Sequence, residues 1–317
     1  MKRPSIVVVG SSNTDMIIRL ARLPSRGETV LGGKFSIAAG GKGANQAVGA
    51  ARAGGRVTFI ARLGKDMLGD KAAAGFAKER IDTSFITRDA SAPSGIALIF
   101  TEEGGENIIA VAAGSNGRLS PKDVRRARRA IAGARVLVTQ LETPLPAVRE
   151  AASLAARVGA LVILNPAPAR PLPDSLLKKV SILTPNETEA ELLTGISVRG
   201  PADAGRAATR LLERGAQAVI VTLGRRGCLV ATGSDRTLVP GFSVKALDAT
   251  AAGDVFNGAL AVALGEGRPL LESARFANAA AAISVTRLGA QPSAPTRREI
   301  EALLARTSRK GRGSGSI

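Results

Sequence analysis

Residues 248–260 read Asp-Ala-Thr-Ala-Ala-Gly-Asp-Val-Phe-Asn-Gly-Ala-Leu. Small residues and Gly253 lead into an alanine-rich segment, which predicts a helix whose first backbone N–H groups are free to bind an anion. The carboxylate of Asp254 would lie in the first turn of that helix, where it could simply stabilise the helix. A carboxylate beside an anion hole is also what phosphoryl transfer to a hydroxyl group requires, because it can accept the proton of the attacking alcohol.

The chain before and after this segment alternates short apolar runs with alanine-rich stretches of helical period. Such alternation is typical of an α/β fold in which helices cover both faces of a mainly parallel sheet. The predicted strands are Ile6–Val9, Val57–Ala61, Val136–Gln140, Leu161–Asn165, Val180–Thr184 and Ala218–Leu223. The predicted helices are Ala44–Ala53, Leu68–Glu79, Pro121–Ile131, Ala147–Val158, Glu187–Leu193, Ala202–Arg214, Gly253–Leu264, Ser273–Val285 and Thr296–Leu304.

Two regions, residues 14–39 and 94–112, break this rhythm with consecutive strand-like pieces separated by glycine-containing turns. They predict a small β-sheet that projects from the α/β core and could serve as a lid. A lid that is apolar on one face suggests a homodimer in which two lids cover each other. The predicted division is a core of residues 1–13, 40–93 and 113–306, a lid of residues 14–39 and 94–112, and a disordered basic tail of residues 307–317.

The composition excludes several kinds of chemistry. The 317 residues include no histidine and a single cysteine, Cys228. A Ser-His-Asp triad and a metal site built on histidine or clustered cysteine are therefore impossible, and proton transfer falls to carboxylates, lysine or the one thiol. Cys228 lies in an apolar segment and is expected to be a small buried side chain rather than a nucleophile. This cysteine usage fits a reducing, cytoplasmic setting.

Lysine and arginine outnumber aspartate and glutamate by 44 to 26, which gives a formal net charge of +18. A nucleic-acid-binding surface could explain such a charge. The basic residues are scattered, however, and the aromatic residues are 3% of the chain and all phenylalanine, which leaves few platforms for stacking bases. We therefore expect no nucleic-acid partner. The apolar run Ile6–Val9 is too short for a signal peptide or a membrane span, so no membrane partner is expected either.

Two further segments carry residues suited to a ligand. The segment Gly40–Ala47 has three glycines among its first four residues, which allows close backbone approach, and it leads into a predicted helix. It is not a Walker A loop, because Lys42 is not followed by Ser or Thr. Asn13 and Asp15 follow the first strand, where ligands bind in open α/β sheets. An amide and a carboxylate so placed suit recognition of vicinal hydroxyls, although polar residues after a strand can also be mere turn formers.

In this order and spacing, the segments 10–15, 40–47 and 248–260 resemble the phosphofructokinase-B-type (ribokinase-like) carbohydrate kinase family. The resemblance runs from about Ile6 to Leu304 and includes shorter blocks between these segments. The shorter blocks are Gln140–Glu142, Asn165–Arg170, Thr184–Glu189, Thr222–Gly227 and Gly289–Ser293. Membership of this family would imply a kinase that transfers phosphate from ATP to a sugar hydroxyl.

The resemblance implies a role for each matching residue. Asp254 matches the base that activates the primary hydroxyl, and Ala251, Ala252 and Gly253 match the anion hole. The residues that match sugar contacts are Asn13, Asp15, Gly41, Lys42, Asn45, Glu142 and Asp254. The residues that match nucleotide contacts are Asn186, Thr222, Leu223, Gly224, Arg225, Arg226, Gly227, Gly253, Asp254 and Asn278.

The family resemblance also implies Mg²⁺ and an activating monovalent cation, K⁺. Glu189 completes an Asn-Xaa-Xaa-Glu pattern with Asn186 that is linked in the family to Mg²⁺ and phosphate organisation. Asn278 stands near the nucleotide base where some family members have histidine, which leaves the preference among nucleotides open. The residues that match a monovalent-cation loop are Asp248, Thr250, Ser284, Arg287, Gly289 and Ser293.

The activity implied most directly is phosphorylation of D-ribose at O5 to ribose 5-phosphate. Asn13 and Asp15 favour ribose over 2-deoxyribose, because a site built around a hydroxyl rejects an analogue that lacks it. A kinase for another furanose or a nucleoside, such as 2-deoxyribose or an adenosine-like substrate, stays open at this point. A non-catalytic nucleic-acid-binding protein is a third alternative, and the presence of Asp254 and Lys42 argues against it.

Overall fold

The computed structural model describes residues 3–102 and 107–310, and its helices and strands alternate as an α/β chain. The strands are β1 Ser5–Val9, β2 Asn13–Leu20, β3 Lys34–Gly40, β4 Arg56–Ile60, β5 Arg62–Gly64, β6 Thr87–Asp89, β7 Gly95–Glu102, β8 Asn107–Ala112, β9 Val136–Thr139, β10 Leu161–Leu164, β11 Ile182–Leu183, β12 Ala218–Thr222, β13 Gly227–Thr232 and β14 Asp235–Pro240. The helices are α1 Lys42–Arg52, α2 Met67–Lys78, α3 Pro121–Arg126, α4 Arg128–Ala132, α5 Leu145–Arg157, α6 Asp174–Leu177, α7 Glu187–Thr194, α8 Pro201–Glu213, α9 Ala252–Gly265, α10 Leu270–Ser284 and α11 Arg297–Lys310.

The main sheet has eight strands in the order β14-β13-β12-β11-β10-β9-β1-β4. The strands from β12 to β4 are parallel, while β13 and β14 form an antiparallel edge. The prediction of a mainly parallel sheet is therefore confirmed, and each predicted strand is present in it. The antiparallel edge was not predicted, because exposed polar residues interrupt the apolar pattern of β14.

The parallel strands are buried on both faces, as their uninterrupted apolar sequences require. Ile6 and Val8 of β1 belong to the core cluster on one side, which also contains residues of α1, α2, α9, α10 and α11. Val7 and Val9 of the same strand belong to the cluster on the other side, which contains residues of α3 to α8. The strand order reverses at β1, because β4 lies on one side of β1 and β9 on the other. The carboxyl ends of β1 and β9 therefore border the point where ligands bind in open α/β sheets.

A separate four-stranded sheet has the order β3-β2-β7-β8. It is formed by strands from the two regions predicted as a small sheet, and only three residues separate the end of β1 from the start of β2. In its register Asp15 lies between Ala38 and Ala97, so these three side chains share one face. The small sheet is thereby joined directly to the carboxyl end of β1.

Two helical predictions differ from the structure. The segment predicted as one helix over Pro121–Ile131 is divided into α3 and α4 at Ala127, which caps both. Helix α11 extends to Lys310, so residues 307–310 are helical rather than part of a tail, whereas residues 311–317 lie outside the described part of the chain. Within the described ranges no helix has the length and hydropathy that crossing a lipid bilayer demands.

Candidate active site

Asp254 lies in the first turn of α9, where only 6% of its surface is exposed. Ala251 caps the helix in the left-handed conformation with φ 59°, and its carbonyl accepts the N–H of Val255 at 2.9 Å. A Cβ built on Gly253 would meet no atom within 4 Å, so the start of the helix borders open space. Because the first N–H groups of a helix have no intrahelical acceptors, this turn can receive an anion.

Two amides from α1 hold the Asp254 carboxylate. Asn45 Nδ2 donates to its Oδ2 at 3.0 Å, and Gln46 Nε2 donates to its Oδ1 at 2.9 Å. Asn45 Oδ1 is buried and has no hydrogen-bond partner among the described residues, which leaves it able to accept from a ligand. Gln46 is fully buried and was not among the residues selected from the sequence. The pair fixes the direction in which the carboxylate points.

Lys42 is surrounded by three carboxylates. Burial lowers the pKa of Lys42, but the charges of Asp254, Glu142 and Glu189 together raise it by more. The net shift is upward, so the ammonium group stays charged. Burial raises the pKa of Asp254, while the charge of Lys42 and the two amide donors lower it. Burial and the charges of Glu142 and Asp254 raise the pKa of Asp15 to about 6.

Glycines let the start of α1 approach the segment after β1. Gly41 has φ +87°, and a Cβ there would lie 2.6 Å from Asn13 N. Glu142 joins the two segments, because its Oε2 accepts from Ser11 Oγ at 2.6 Å and from the backbone N–H of Lys42 at 3.0 Å. The residues predicted to contact a sugar are thereby gathered around one carboxylate, Asp254.

The amide of Asn13 is oriented by a buried neighbour, Asn116. Asn116 Nδ2 donates to Asn13 Oδ1 at 2.8 Å and to Ser12 O at 2.9 Å, while its Oδ1 accepts from Ser12 N at 2.9 Å. This arrangement leaves Asn13 Nδ2 as the remaining donor for a ligand. Asn116 lies in a short 3-10 helix after β8, and the sequence alone gave no reason to select it.

A cavity of about 820 Å³ adjoins the start of α9. The predicted nucleotide contacts that line it are Asn186, Thr222, Gly224, Arg225, Gly227, Gly253 and Asn278. Residues 241–246, which the sequence did not indicate, contribute Phe242 and Val244 to its wall. Three predicted nucleotide contacts are not among the described residues that line the cavity. Leu223 is buried in the core, Arg226 Nη2 donates to Glu187 Oε1 at 2.6 Å, and Asp254 is buried next to the lining residue Gly253.

Asn278 and Cys228 lie together at the sheet side of this cavity. Asn278 Nδ2 donates to the carbonyls of Val239 and Pro240 at 3.1 and 3.3 Å, which leaves its oxygen for a further partner. Cys228 is fully buried, and burial raises the pKa of its thiol to about 12. The prediction that Cys228 is a small core side chain is confirmed.

Asn186 and Glu189 form a capping box at the start of α7. Asn186 Oδ1 accepts from Glu189 N at 2.7 Å, and Glu189 Oε2 accepts from Asn186 N at 2.9 Å. Glu189 also lies close enough to Lys42 and Asp254 for their charges to act on it, and burial, the first cause, raises its pKa. In the described ranges no three acidic or cysteine side chains cluster as a metal site. Mg²⁺ commonly binds through substrate phosphates, water and one or two carboxylates, so a single carboxylate such as Glu189 fits that mode.

The predicted cation-loop residues come together beside α9. Asp248 Oδ1 accepts from Thr250 N and its Oδ2 accepts from Gly289 N, both at 2.8 Å. Burial raises the pKa of Asp248, but the hydrogen bonds from Thr250 and Gly289 lower it, and the net direction is downward. Ser284 and Ser293 are buried and donate their hydroxyl protons to carbonyls, which leaves their oxygen lone pairs for a cation.

Two other groups shape this loop. Arg287 pairs with Glu299 of α11, so its side chain is directed away from the loop interior. Arg52 Nη1 donates to the carbonyls of Gln291, Pro292 and Ala294 at 3.0, 3.2 and 3.0 Å. The loop is an oxygen-rich turn with an anionic carboxylate, a donor set that suits a hard monovalent cation.

The fold is that of an α/β phosphotransferase, and its candidate site combines a buried carboxylate in the first turn of α9 with a large adjoining cavity. The model of the pfkB family carbohydrate kinases matches residues 3–297, and the chain belongs to that family. The ribokinase of Haemophilus influenzae is 46% identical over 94% of this chain and 97% of its own. A deoxyribokinase of Salmonella typhi is 36% identical over 92% of this chain and 95% of its own.

Solved structures agree with this assignment. The structure of Arabidopsis thaliana ribokinase complexed with ribose and ATP superimposes with a TM-score of 0.88 and 32% identity, covering 95% of this chain and 99% of that one. The ribokinase of Thermotoga maritima gives a TM-score of 0.87 at 39% identity, with 95% and 99% covered. The expected ribokinase-like fold is confirmed, and the chain is a ribokinase-type sugar kinase.

Proposed function

We propose that the protein transfers the γ-phosphoryl group of ATP to O5 of D-ribose, giving ribose 5-phosphate and ADP. The observation that carries this proposal is the position of Asp254 between two compartments. On one side Asn45 and Lys42 belong to the cluster predicted to bind a sugar. On the other side Gly253 borders the 820 Å³ cavity. A hydroxyl bound in the first compartment would meet a phosphoryl group bound in the second at Asp254.

Sugar binding falls to Asn13, Asp15, Gly41, Lys42, Asn45 and Glu142. Asp15 accepts hydrogen bonds from ring hydroxyls, and Asn13 donates through the amide nitrogen that Asn116 leaves free. The Lys42 ammonium group donates to a hydroxyl and balances the carboxylates around it. Because 2-deoxyribose would leave some of these buried groups unpaired, we expect discrimination in favour of ribose.

Transfer begins when the Asp254 carboxylate accepts the proton of the sugar O5 hydroxyl. The O5–Pγ bond forms while the bond from Pγ to the oxygen bridging to the β-phosphate breaks, and ADP leaves with that bond pair. Backbone N–H groups at Ala251, Ala252 and Gly253 stabilise the charge on the γ-phosphoryl oxygens. The helix dipole of α9 acts in the same direction.

The nucleotide occupies the cavity lined by Asn186, Thr222, Gly224, Arg225 and Asn278. Arg225 supplies a positive charge there for the phosphates. Glu189 would help to hold Mg²⁺, which would supply charge neutralisation for the phosphates. The loop of Asp248, Thr250, Ser284, Arg287, Gly289 and Ser293 would hold K⁺, partly through backbone carbonyls, and this ion would supply a fixed positive charge. The use of ATP and the single cysteine support a cytoplasmic location.

Residues 14–39 and 94–112 act as a lid in this proposal, and residues 1–13, 40–93 and 113–306 as the core; residues 1–2 and 103–106 of these ranges lie outside the described part of the chain. One face of the lid sheet carries Asp15 toward the sugar. The opposite face, by register, carries Phe35, Ile37, Leu98 and Ile108, which are 60, 44, 41 and 51% exposed. Because exposed apolar patches of this kind mark contact surfaces, two copies form a homodimer through these faces.

A coupled assay of ADP release tests the substrate assignment. With ATP and Mg²⁺, we expect kcat/KM for D-ribose to exceed that for 2-deoxyribose by at least about tenfold, the cost of one unpaired buried group. We also expect the rate to rise when K⁺ replaces a bulky organic cation. The deoxyribokinase relative at 36% identity makes 2-deoxyribose the second candidate. An equal or higher kcat/KM on 2-deoxyribose overturns the ribose assignment, and activity confined to a nucleoside overturns the choice of a free sugar.

A further inference from the structure

A chain of buried side-chain amides connects Asp254 to the carboxyl ends of the strands in the parallel sheet. Gln46 Nε2 donates both to Asp254 Oδ1 at 2.9 Å and to Asn165 Oδ1 at 3.1 Å. Gln140 Nε2 donates to Gln46 Oε1 at 2.6 Å. Asn165 Nδ2 donates to the backbone carbonyl of Thr184 at 3.1 Å. Gln140, Asn165 and Thr184 follow β9, β10 and β11, so the chain crosses the carboxyl ends of three adjacent strands.

The direction of these hydrogen bonds is set at one end. A backbone carbonyl can only accept, so the group of Asn165 that faces Thr184 must be its NH₂. The oxygen of Asn165 then faces Gln46, which must present its own NH₂ there, and the same NH₂ reaches Asp254. Gln46 Oε1 is left to accept from Gln140. The Thr184 carbonyl therefore determines that a donor, not an acceptor, faces the carboxylate.

We propose that Gln46 is a positioning residue for the Asp254 base, held as an obligatory donor by the amide chain that ends on the Thr184 carbonyl. This inference rests on the proposed role of Asp254 as the base. Gln46 touches neither sugar nor nucleotide in this account and acts only through Asp254. The NH₂ group of Gln46 favours the carboxylate form of Asp254 over the carboxylic acid. It holds Oδ1 of Asp254 in place while Asn45 holds Oδ2, so that the two amides together fix the orientation of the carboxylate.

The same carboxylate is surrounded by charges that act in both directions. Lys42 from α1 favours its ionised form, whereas Glu142 after β9 disfavours it. Asp15 of β2 and Glu189 of α7 complete the charged groups that interact with Asp254. Burial also disfavours the ionised form and so raises the pKa of Asp254. Each amide that donates to the carboxylate lowers this pKa and keeps Asp254 ionised at a lower pH.

The pH dependence of kcat in the Gln46→Met variant tests this role, measured at saturating sugar and ATP. Methionine keeps the length and flexibility of the side chain but cannot donate. We expect the acidic limb to move upward by about one pH unit, the shift that loss of one net hydrogen bond produces, with much of the rate recovered at high pH. The KM for ATP should change by less than about twofold, because Gln46 does not line the cavity.

The matched control is Val148→Ala, which removes buried methyl groups from α5 away from the site. Its expected pH profile is unshifted even where its stability falls. Should Gln46→Met fail to fold, Gln140→Met removes the bond behind Gln46, and a smaller shift of the same sign is expected. A folded variant whose kcat falls equally at every pH overturns the positioning role. Retained turnover in Asp254→Asn overturns instead the base assignment on which it rests.

Discussion

Asp15 contributes to the site at a cost to the stability of the fold. Its pKa is raised from 3.8 to about 6, first by burial and then by the charges of Glu142 and Asp254. The folded protein thus holds this proton more tightly than the unfolded chain does. The free energy of unfolding therefore falls as the pH rises between 3.8 and about 6, and the penalty is complete above that window.

We expect Asp15→Asn to be more stable than the wild type at pH 8, by about 1 kcal/mol once solvent screening is allowed for, and nearly equal to it below pH 4. Denaturant titrations at both pH values measure this difference. The KM for ribose should rise at least about tenfold, because the amide is neutral and has an NH₂ donor in place of one of the two carboxylate acceptors. Asp235→Asn, at an exposed carboxyl of β14, serves as the control. A stability difference independent of pH contradicts the electrostatic explanation.

Among single residues, the sequence indicated the members of the candidate site better than the side chains that hold them in place. Asp254 and Lys42 stand in glycine-rich segments at helix starts, where local pattern and chemistry coincide. Gln46 and Asn116 were missed because their partners, Asp254 and Asn13, are 208 and 103 residues away in the chain. An amide whose role is to orient another side chain has no local signal, since its function depends on tertiary contacts.

At the scale of elements, the close packing of α1 on α9 sets the distance between the amide donors and the base. A Cβ on Gly258 of α9 would lie 2.6 Å from Ala50 N and 2.7 Å from Gln46 O. A Cβ on Gly49 of α1 would lie 3.3 Å from Val255 Cα. These glycines allow backbone contact between the helices, so that Asn45 and Gln46 reach the carboxylate directly.

We expect Gly258→Ala to destabilise the protein by about 1–3 kcal/mol, although alanine normally favours a helix, because α1 and α9 must separate. Turnover should fall as well, since the separation lengthens the bonds to Asp254. Gly75→Ala in α2 is the matched control: a Cβ there meets nothing within 4 Å, and the change should be neutral or stabilising by up to about 1 kcal/mol. Thermal unfolding and the ADP-release assay measure both variants. Equal behaviour of the two would contradict close packing as the cause.

The elements themselves were predictable where their period was clear. The parallel strands and most helices follow from apolar runs and alanine-rich periodicity. The edge hairpin β13–β14 and the segment 241–246 were missed, because a half-exposed strand and an irregular cavity wall owe their places to the rest of the sheet. The division between α3 and α4 at Ala127 was also missed, because the residues on both sides of Ala127 are typical of a helix.

For the molecule as a whole, the two faces of the small sheet differ. Asp15 lies on one face, and the other carries Phe35, Ile37, Leu98 and Ile108. In the homodimer proposed above, the same face of a second copy would cover these apolar side chains. The lid would then depend on the partner copy for its rigidity.

We expect Ile108→Lys to convert the dimer to a monomer, measured by light scattering at micromolar concentration, because a charge placed in an apolar interface is costly. The KM for ribose should rise as the lid loses its support. Leu271→Lys, at a residue of α10 that is 44% exposed, controls for surface charge. A wild-type protein that is monomeric at every concentration would contradict the proposed interface.

The role of Asp254 as the base is tested by comparing sugar-dependent ADP release by the wild type and by Asp254→Asn, together with calorimetric binding of D-ribose. The amide keeps the shape of the side chain but cannot accept the O5 proton. We predict a loss of kcat of at least about a thousandfold, in the range expected for removal of a general base, with ribose binding still measurable. Near-normal ADP release by Asp254→Asn would contradict the account.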